Sequence, residues 1–291
     1  MPSNAISTPQ QAALNIVLIG AGRMGRAMLS GIRSRSPQHA ITVIEPHPVT
    51  RALISSEPGI RALASIAELD AARCDEHDAD VVVLAVKPLT MHTVLAGLTN
   101  MLSGDELLIS LAAGTSIAQL ATTCPRGQAI IRAMPNTPAL IGLGITALAT
   151  GPHASTAHMQ LTANLLSGCG EVVVLRDEAQ LAAVTAISGS GPAYFFALQQ
   201  ALLQAAARLG LEPELADKLV RATGRGACQL AWESDQSLLQ LQDNVRSPGG
   251  TTAAALEVFE QGHFQNLIIT ANAAAAARAE ALAAETDSAI D

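Results

Sequence analysis

The sequence predicts an α/β protein: an N-terminal domain built on a parallel sheet, followed by an all-helical domain. Three observations lead there. Unbroken apolar runs alternate with helical stretches through the first half of the chain. A glycine-rich turn directly follows the first of those runs. After Arg176 the strand-like runs stop, and long Ala/Leu-rich helical patterns take over.

The apolar runs cover residues 15–20, 41–45, 81–86, 107–111 and 129–134, with two further candidates at 144–149 and 171–175. Strands that read as continuous Val, Ile and Leu are buried on both faces, as in a parallel sheet covered by crossover helices. Helical stretches at 22–34 and 116–123 supply such crossovers. Beyond Arg176, Asp177 caps a helix that reaches Ile187. Gly191-Pro192 opens the next, with proline near the first helical position, where its missing N–H costs nothing, and Gly210 ends it. A third helix spans 213–234. A short one covers 253–259 and stops before Gly262, and a last one runs over 264–284. The domain boundary is therefore expected near residue 176. That leaves a flexible polar extension over 1–14, a first domain over 15–176 and a helical domain over 177–291.

Hydrophobic residues make up 49% of the 291 residues but aromatics only 2%, so the core must be closely packed Ala, Leu, Val and Ile. A helical domain this poor in large side chains is expected to bury a face against a second copy, as a homodimer or an assembly of dimers. The formal charge is -8 and no basic run occurs, which excludes nucleic-acid and anionic-membrane partners. No apolar run reaches membrane-spanning length; the closest, 81–86, is strand-sized. No charged segment followed by an apolar stretch marks a secretory signal. Cys74, Cys124, Cys169 and Cys228 are far apart and lack metal-like spacing, so they are read as free thiols in a reducing cytoplasm. No metal site is expected.

Gly20-Ala21-Gly22-Arg23-Met24-Gly25 lies between the first strand and a helix with apolar residues at Met24, Ala27, Met28 and Ile32. The first glycine permits the tight turn, the second lets a pyrophosphate approach the backbone, and the third lets the helix pack on the strand. With Glu45 ending the second strand, this is a Rossmann-type site for NADH or NADPH. Glu45 is placed to accept a hydrogen bond from the adenosine ribose 2′-OH, which favours NAD. His47 and Arg51 lie near enough to offset its charge against a 2′-phosphate. Ligands of open α/β sheets sit at the carboxyl ends of strands. Ala85-Val86-Lys87-Pro88, Leu111-Ala112-Ala113-Gly114 and Met134-Pro135-Asn136-Thr137-Pro138 are therefore expected to face the cofactor, with Asn136 or Met134 beside the nicotinamide.

A second motif is Asp243-Asn244-Val245-Arg246-Ser247-Pro248-Gly249-Gly250-Thr251-Thr252. Two glycines and two threonines ahead of a helix make a bowl of N–H groups and hydroxyls. The helix dipole and the unpaired amides suit a carboxylate or phosphate there. Strong acid–base groups are scarce. None of the seven histidines falls in a motif loop, and the two lysines are Lys87, after a strand end, and Lys218, in mid-helix. Ketone reduction needs a positioned acid because charge develops on oxygen, whereas a protonated imine is already electrophilic.

In this order the motifs, together with Ser188-Gly189-Ser190-Gly191-Pro192-Ala193-Tyr194-Phe195, resemble the Δ1-pyrroline-5-carboxylate reductases across residues 15–282. The resemblance implies a Rossmann-type domain, a helical domain interlocked with its twofold mate, and NAD(P)H-dependent reduction of 1-pyrroline-5-carboxylate to L-proline, the last step of proline biosynthesis. It implies that the late loop holds the substrate carboxylate, that Thr252 contacts the ring nitrogen, and that Asn244 lies near the cofactor. The chain departs from the pattern in its extension over 1–14 and in Glu45, which stands where many relatives carry Ser, Asn or Arg.

The expected substrate cradle is thus Ser247, Gly249 and the N–H groups of Gly250, Thr251 and Thr252, with Thr252 as the catalytic residue. A hydroxyacid dehydrogenase of similar layout would need a helix-borne catalytic lysine, for which Lys218 is the one candidate. A non-catalytic dinucleotide-binding or vitamin-B6-binding protein would have no need of the cradle.

Overall fold

A computed structural model of the chain describes residues 12–71, 79–99 and 101–287. Most of the 1–14 extension, with Cys74 and His77, lies outside them. The chain divides into two compact units. One runs up to Gly189 and takes in the stretch from Ala277 onward; the other is Ser190–Ala276. The division falls beyond the change of texture at Arg176.

The first unit carries an eight-stranded sheet: β1 (Asn15–Ile19), β2 (Ala40–Ile44), β3 (Ile60–Leu63), β4 (Val81–Leu84), β5 (Leu107–Ser110), β6 (Ala129–Met134), β7 (Gly144–Thr150) and β8 (Gly170–Val174). Its order is β3-β2-β1-β4-β5-β6-β7-β8. The first six strands are parallel, β7 runs antiparallel to β6, and β8 is parallel to β7. The helices between strands are α1 (Arg23–Arg35), α2 (Pro48–Ser55), α3 (Ile66–Ala71), α4 (Pro88–Leu98), α5 (Ile117–Thr123) and α6 (Thr156–Leu166).

The continuous apolar runs have the cause inferred from sequence, since each face of the sheet has its own core. Ile16, Leu18, Val81 and Val83 belong to one cluster, and Val17, Ile19, Val82 and Leu84 to the other. Burying a side chain of this size contributes roughly 1.5–3 kcal/mol, so both faces demand apolar residues. β3 was not expected. Its run, Ile-Arg-Ala-Leu, is short and broken by Arg61, as an edge strand tolerates. Ser116 and Ser155 open α5 and α6 with complete capping boxes.

The single helix expected over 177–187 is instead three pieces: a 3-10 turn Glu178–Gln180, α7 (Leu181–Val184) and a π-helical turn Thr185–Gly189. Cys124, Cys169 and Cys228 are free thiols. Burial pushes Cys124 and Cys169 up to about 11, with Glu106 adding to the rise at Cys124.

The second unit is helical: α8 (Gly191–Arg208), α9 (Pro213–Glu233), α10 (Leu238–Val245), α11 (Thr251–Gln261) and most of α12 (Phe264–Asp287). α8 packs on α9, but the side is thin. The buried positions are Gly191 and Ala206 in α8, and Ala216 and Val220 in α9. Large apolar side chains lie open instead, among them Leu209, Trp232, Leu238 and Leu267 at 80%, 71%, 73% and 64% exposure. A helical unit with so little buried area does not supply its own stability and presents an interface.

Two stretches, Glu178–Arg208 and Phe264–Glu285, are long and apolar enough to cross a membrane by length and mean hydropathy. The reading that no unbroken apolar run reaches that length concerns runs, and it stands beside this average. Their apolarity is spread among alanines, so no unbroken run announces it.

Candidate active site

The glycine loop is built for close approach. Gly20 follows the last β1 pair, Ile19 with Ile44, and its N–H donates to the Ile44 carbonyl at 2.9 Å. It sits at φ +91°, and a Cβ there would stand 2.8 Å from the Ala85 carbonyl oxygen. A Cβ on Gly25 would collide with the Gly20 carbonyl oxygen, so this glycine lets α1 lie on β1. Gly22 differs: a Cβ would meet nothing within 4 Å. It is exposed and serves as the N-cap of α1 with no side-chain cap. The N–H groups of Arg23, Met24 and Gly25 head the helix and have no partner within it. An open cradle of amides at the positive end of a helix, beside the β1/β4 switch point, fits a dinucleotide pyrophosphate.

Glu45 closes one side. It is buried, its Oε2 accepts the Ala21 N–H at 2.8 Å, and its Oε1 accepts the His47 N–H at 2.9 Å. Arg51 Nη1 donates to the carbonyls of Glu45 and Pro46, each at 2.8 Å.

The other strand ends divide. Ala85 and Val86 are half-buried after β4, and exposed Lys87 is the N-cap of α4, with Pro88 at the helix start. Leu111 and Ala112 are core residues, which leaves Ala113 and Gly114 as the accessible part of that turn. Asn136 is buried, and its Oδ1 accepts the Ile145 N–H at 3.0 Å, so it braces the chain between β6 and β7. Met134 is partly buried against the second core, with its methyl 2.7 Å from the place of a Cβ on Gly189.

The late motif is shorter as a loop than the sequence suggests. Asp243, Asn244 and Val245 form the last turn of α10, whose Ser237–Gln240 capping box is a signal the sequence contained. Asn244 Nδ2 donates to Gln236 Oε1 at 2.8 Å. Gly249 takes the left-handed conformation at φ +67°, and Gly250 is the N-cap of α11. The Gly250 N–H donates to the Ser247 carbonyl at 3.0 Å. It is therefore engaged, and the helix-head amides that face outward are those of Thr251, Thr252 and Ala253. Thr252 is half-buried and Thr251 exposed. A hollow of about 470 Å³ borders this turn, lined by Arg246, Gly249, Gly250, Ala253 and Glu257 among others. Arg246, which sequence reasoning passed over, puts a guanidinium on the wall of an anion cradle.

Sequence reading also missed a cavity of about 440 Å³ in the first unit, lined by Gly114, Ser116, Arg132, Glu178, Thr185 and Leu282 among others. Arg132 in β6 donates to Glu178 Oε1 at 2.5 Å, and the same oxygen accepts the Ile117 N–H at 2.9 Å. This pair ties the 3-10 turn Glu178–Gln180 to the sheet. No local pattern links residues so far apart in sequence.

The fold and the loop define a dinucleotide-dependent oxidoreductase with a helical second unit. Residues 15–114 match the family model described as NADP oxidoreductase coenzyme F420-dependent, and residues 178–282 that described as pyrroline-5-carboxylate reductase dimerisation. The chain is 40% identical to the pyrroline-5-carboxylate reductase of Pseudomonas aeruginosa, over 96% of this chain and 98% of that protein. The solved pyrroline-5-carboxylate reductase of Coxiella burnetii superposes with a TM-score of 0.84 at 35% identity, covering 93% of this chain and 99% of that one. That of Plasmodium falciparum with NADP bound gives a TM-score of 0.79 at 29% identity, covering 93% and 98%. The chain belongs to the pyrroline-5-carboxylate reductase family.

Proposed function

We propose that this protein reduces 1-pyrroline-5-carboxylate to L-proline with NADPH or NADH, as a cytoplasmic homodimer completing proline biosynthesis. The observation that carries the chemistry is the head of α11. There Gly249 and Gly250 bring backbone amides and two threonine hydroxyls together, beside a hollow lined by Arg246, Glu257 and Glu260 but by no histidine or lysine. Such a site holds a carboxylate and orients an iminium without having to protonate it.

The substrate carboxylate lies on the N–H groups of Thr251, Thr252 and Ala253, with the Ser247 hydroxyl beside it. The Thr252 hydroxyl hydrogen-bonds the ring nitrogen. The 20–25 loop holds the pyrophosphate, and Ala85 to Pro88 and Ala113 border the remainder of the dinucleotide. When bound, the reduced nicotinamide supplies the hydride. The imine brings its own proton from water, so the chain's part is to fix the ring's position and exclude alternative orientations, which is catalysis by proximity. The exposed apolar faces of α8 to α12 supply the dimer contact, and the free thiols suit a reducing compartment.

The test follows NADH or NADPH oxidation at 340 nm with 1-pyrroline-5-carboxylate and, separately, with 2-ketoacids of similar size, alongside sedimentation to read the oligomer. Turnover confined to the imine is expected. Turnover of the ketoacids alone would overturn the reading.

A further inference from the structure

We infer that Glu45 makes this protein select NADH over NADPH, by fixing a carboxylate where the 2′-phosphate of NADPH would have to lie. The inference rests on a dinucleotide occupying the 20–25 loop. In that arrangement the acid at the end of the second strand faces the adenosine ribose, where it accepts a hydrogen bond from a 2′-hydroxyl and repels a 2′-phosphate.

What the structure adds is that Glu45 cannot step aside. Only 8% of it is exposed, and each carboxylate oxygen accepts a backbone N–H: Oε2 that of Ala21, inside the glycine loop, and Oε1 that of His47. A rotamer change that made room for a phosphate would break both bonds and loosen the loop that holds the pyrophosphate. The carboxylate is therefore part of the cradle, held relative to Gly20 and Gly22 by the loop's own backbone.

The nearby cations do not remove the conflict. Arg51 has its Nη1 engaged by the carbonyls of Glu45 and Pro46. The His47 ring caps α2, its Nδ1 facing the N–H and hydroxyl of Thr50 at 3.4 and 3.3 Å. Arg23 opens α1 beside the pyrophosphate position, which both nucleotides share, so it favours neither. Like charges brought together at a recognition site suppress the wrong partner, so the discrimination is expected to be on the order of tenfold or more in Kd.

The test uses the ligand-free full-length protein and direct calorimetric or fluorescence titration, with no turnover required. NADH should bind at least about tenfold more tightly than NADPH, and AMP more tightly than adenosine 2′,5′-bisphosphate, which isolates the 2′-phosphate. Glu45→Gln keeps the size, removes the charge and should narrow the NADH/NADPH ratio several-fold, with thermal unfolding checking that the variant folds. If Glu45→Gln does not fold, the comparison of AMP with the bisphosphate on the unaltered protein decides. Equal or tighter binding of the 2′-phosphorylated ligands overturns the proposal while leaving the loop's role intact. An unchanged ratio in a folded Glu45→Gln overturns the assignment to Glu45. Failure of both dinucleotides to bind overturns the reading of the loop, and this inference with it.

Discussion

The N–H of Gly250 donates to the carbonyl of Ser247 at 3.0 Å, and the Ser247 hydroxyl fills the space a side chain at 250 would need. The two residues lock a turn that brings a hydroxyl to the head of α11. Gly250→Ala should displace that hydroxyl without straining the backbone, because φ at 250 is -81°. Steady-state assays should show kcat/KM for 1-pyrroline-5-carboxylate reduced about 10–100-fold, mainly through KM, the size of one lost hydrogen bond to a carboxylate, roughly 1.5–3 kcal/mol. The melting temperature should barely move. A variant with unimpaired KM would take Ser247 out of the cradle.

In the proposed cradle Thr252 supplies both an amide and a hydroxyl. Thr252→Ala should lower kcat/KM about 10–100-fold, as expected for one hydrogen bond to a charged group. Thr252→Ser keeps the hydroxyl and should recover most of that loss. Equal activities for the alanine, serine and unaltered proteins would remove the hydroxyl from the reaction.

α1 meets the turn before β8 with almost no space between them. A Cβ on Gly31 would collide with the Cys169 sulfur and stand 3.1 Å from the Cys169 amide nitrogen. Gly31→Ala should therefore destabilise the first unit by about 1–3 kcal/mol, the cost of overpacking a filled core. Differential scanning calorimetry would show it as a lower melting temperature. Adding Cys169→Ala removes the sulfur and should restore part of the loss. A double variant no more stable than Gly31→Ala alone would place the strain elsewhere.

His39 predicts a pH dependence. It is buried, its Nδ1 accepts the Leu14 N–H at 3.1 Å, and its Nε2 has no hydrogen-bond partner among the described residues. Burial lowers its pKa, only partly opposed by Asp80. With the folded value below the unfolded value of about 6.5, the unfolded chain binds the proton first. The stabilisation is present above pH 6.5 and is lost as the pH falls through the folded value. His39→Gln keeps an acceptor for Leu14 but does not titrate. It should lose less melting temperature than the unaltered protein between pH 7 and pH 5, and an equal loss would exonerate His39.

Much of the site was legible because it depends on short-range chemistry. The three glycines at 20, 22 and 25 each have a different local reason to lack a side chain; the structure shows the crowding at Gly20 and Gly25, and at Gly22 it shows open space. The strands read correctly because burial on both faces leaves an unmistakable apolar run. α10 was missed although its capping box was present, since Leu-Leu-Gln-Leu-Gln offers too few turns to stand out. β3 was missed because Arg61 interrupts a four-residue edge strand.

By itself the sequence determined the α/β frame and the dinucleotide loop, and it pointed to the glycine–threonine turn at the head of α11, because backbone conformation, capping and hydrophobic period act over a few residues. Only the tertiary structure decided the rest. It paired the Gly250 N–H with the Ser247 carbonyl and the Asn136 Oδ1 with the Ile145 N–H. It joined Arg132 to Glu178 and returned the end of α12 to the first unit. It also turned Glu45 from an acid near a ribose into a pinned part of the cradle. Each of these is a hydrogen bond or packing contact whose partner is set by where the chain returns in space, which no local pattern of residues encodes.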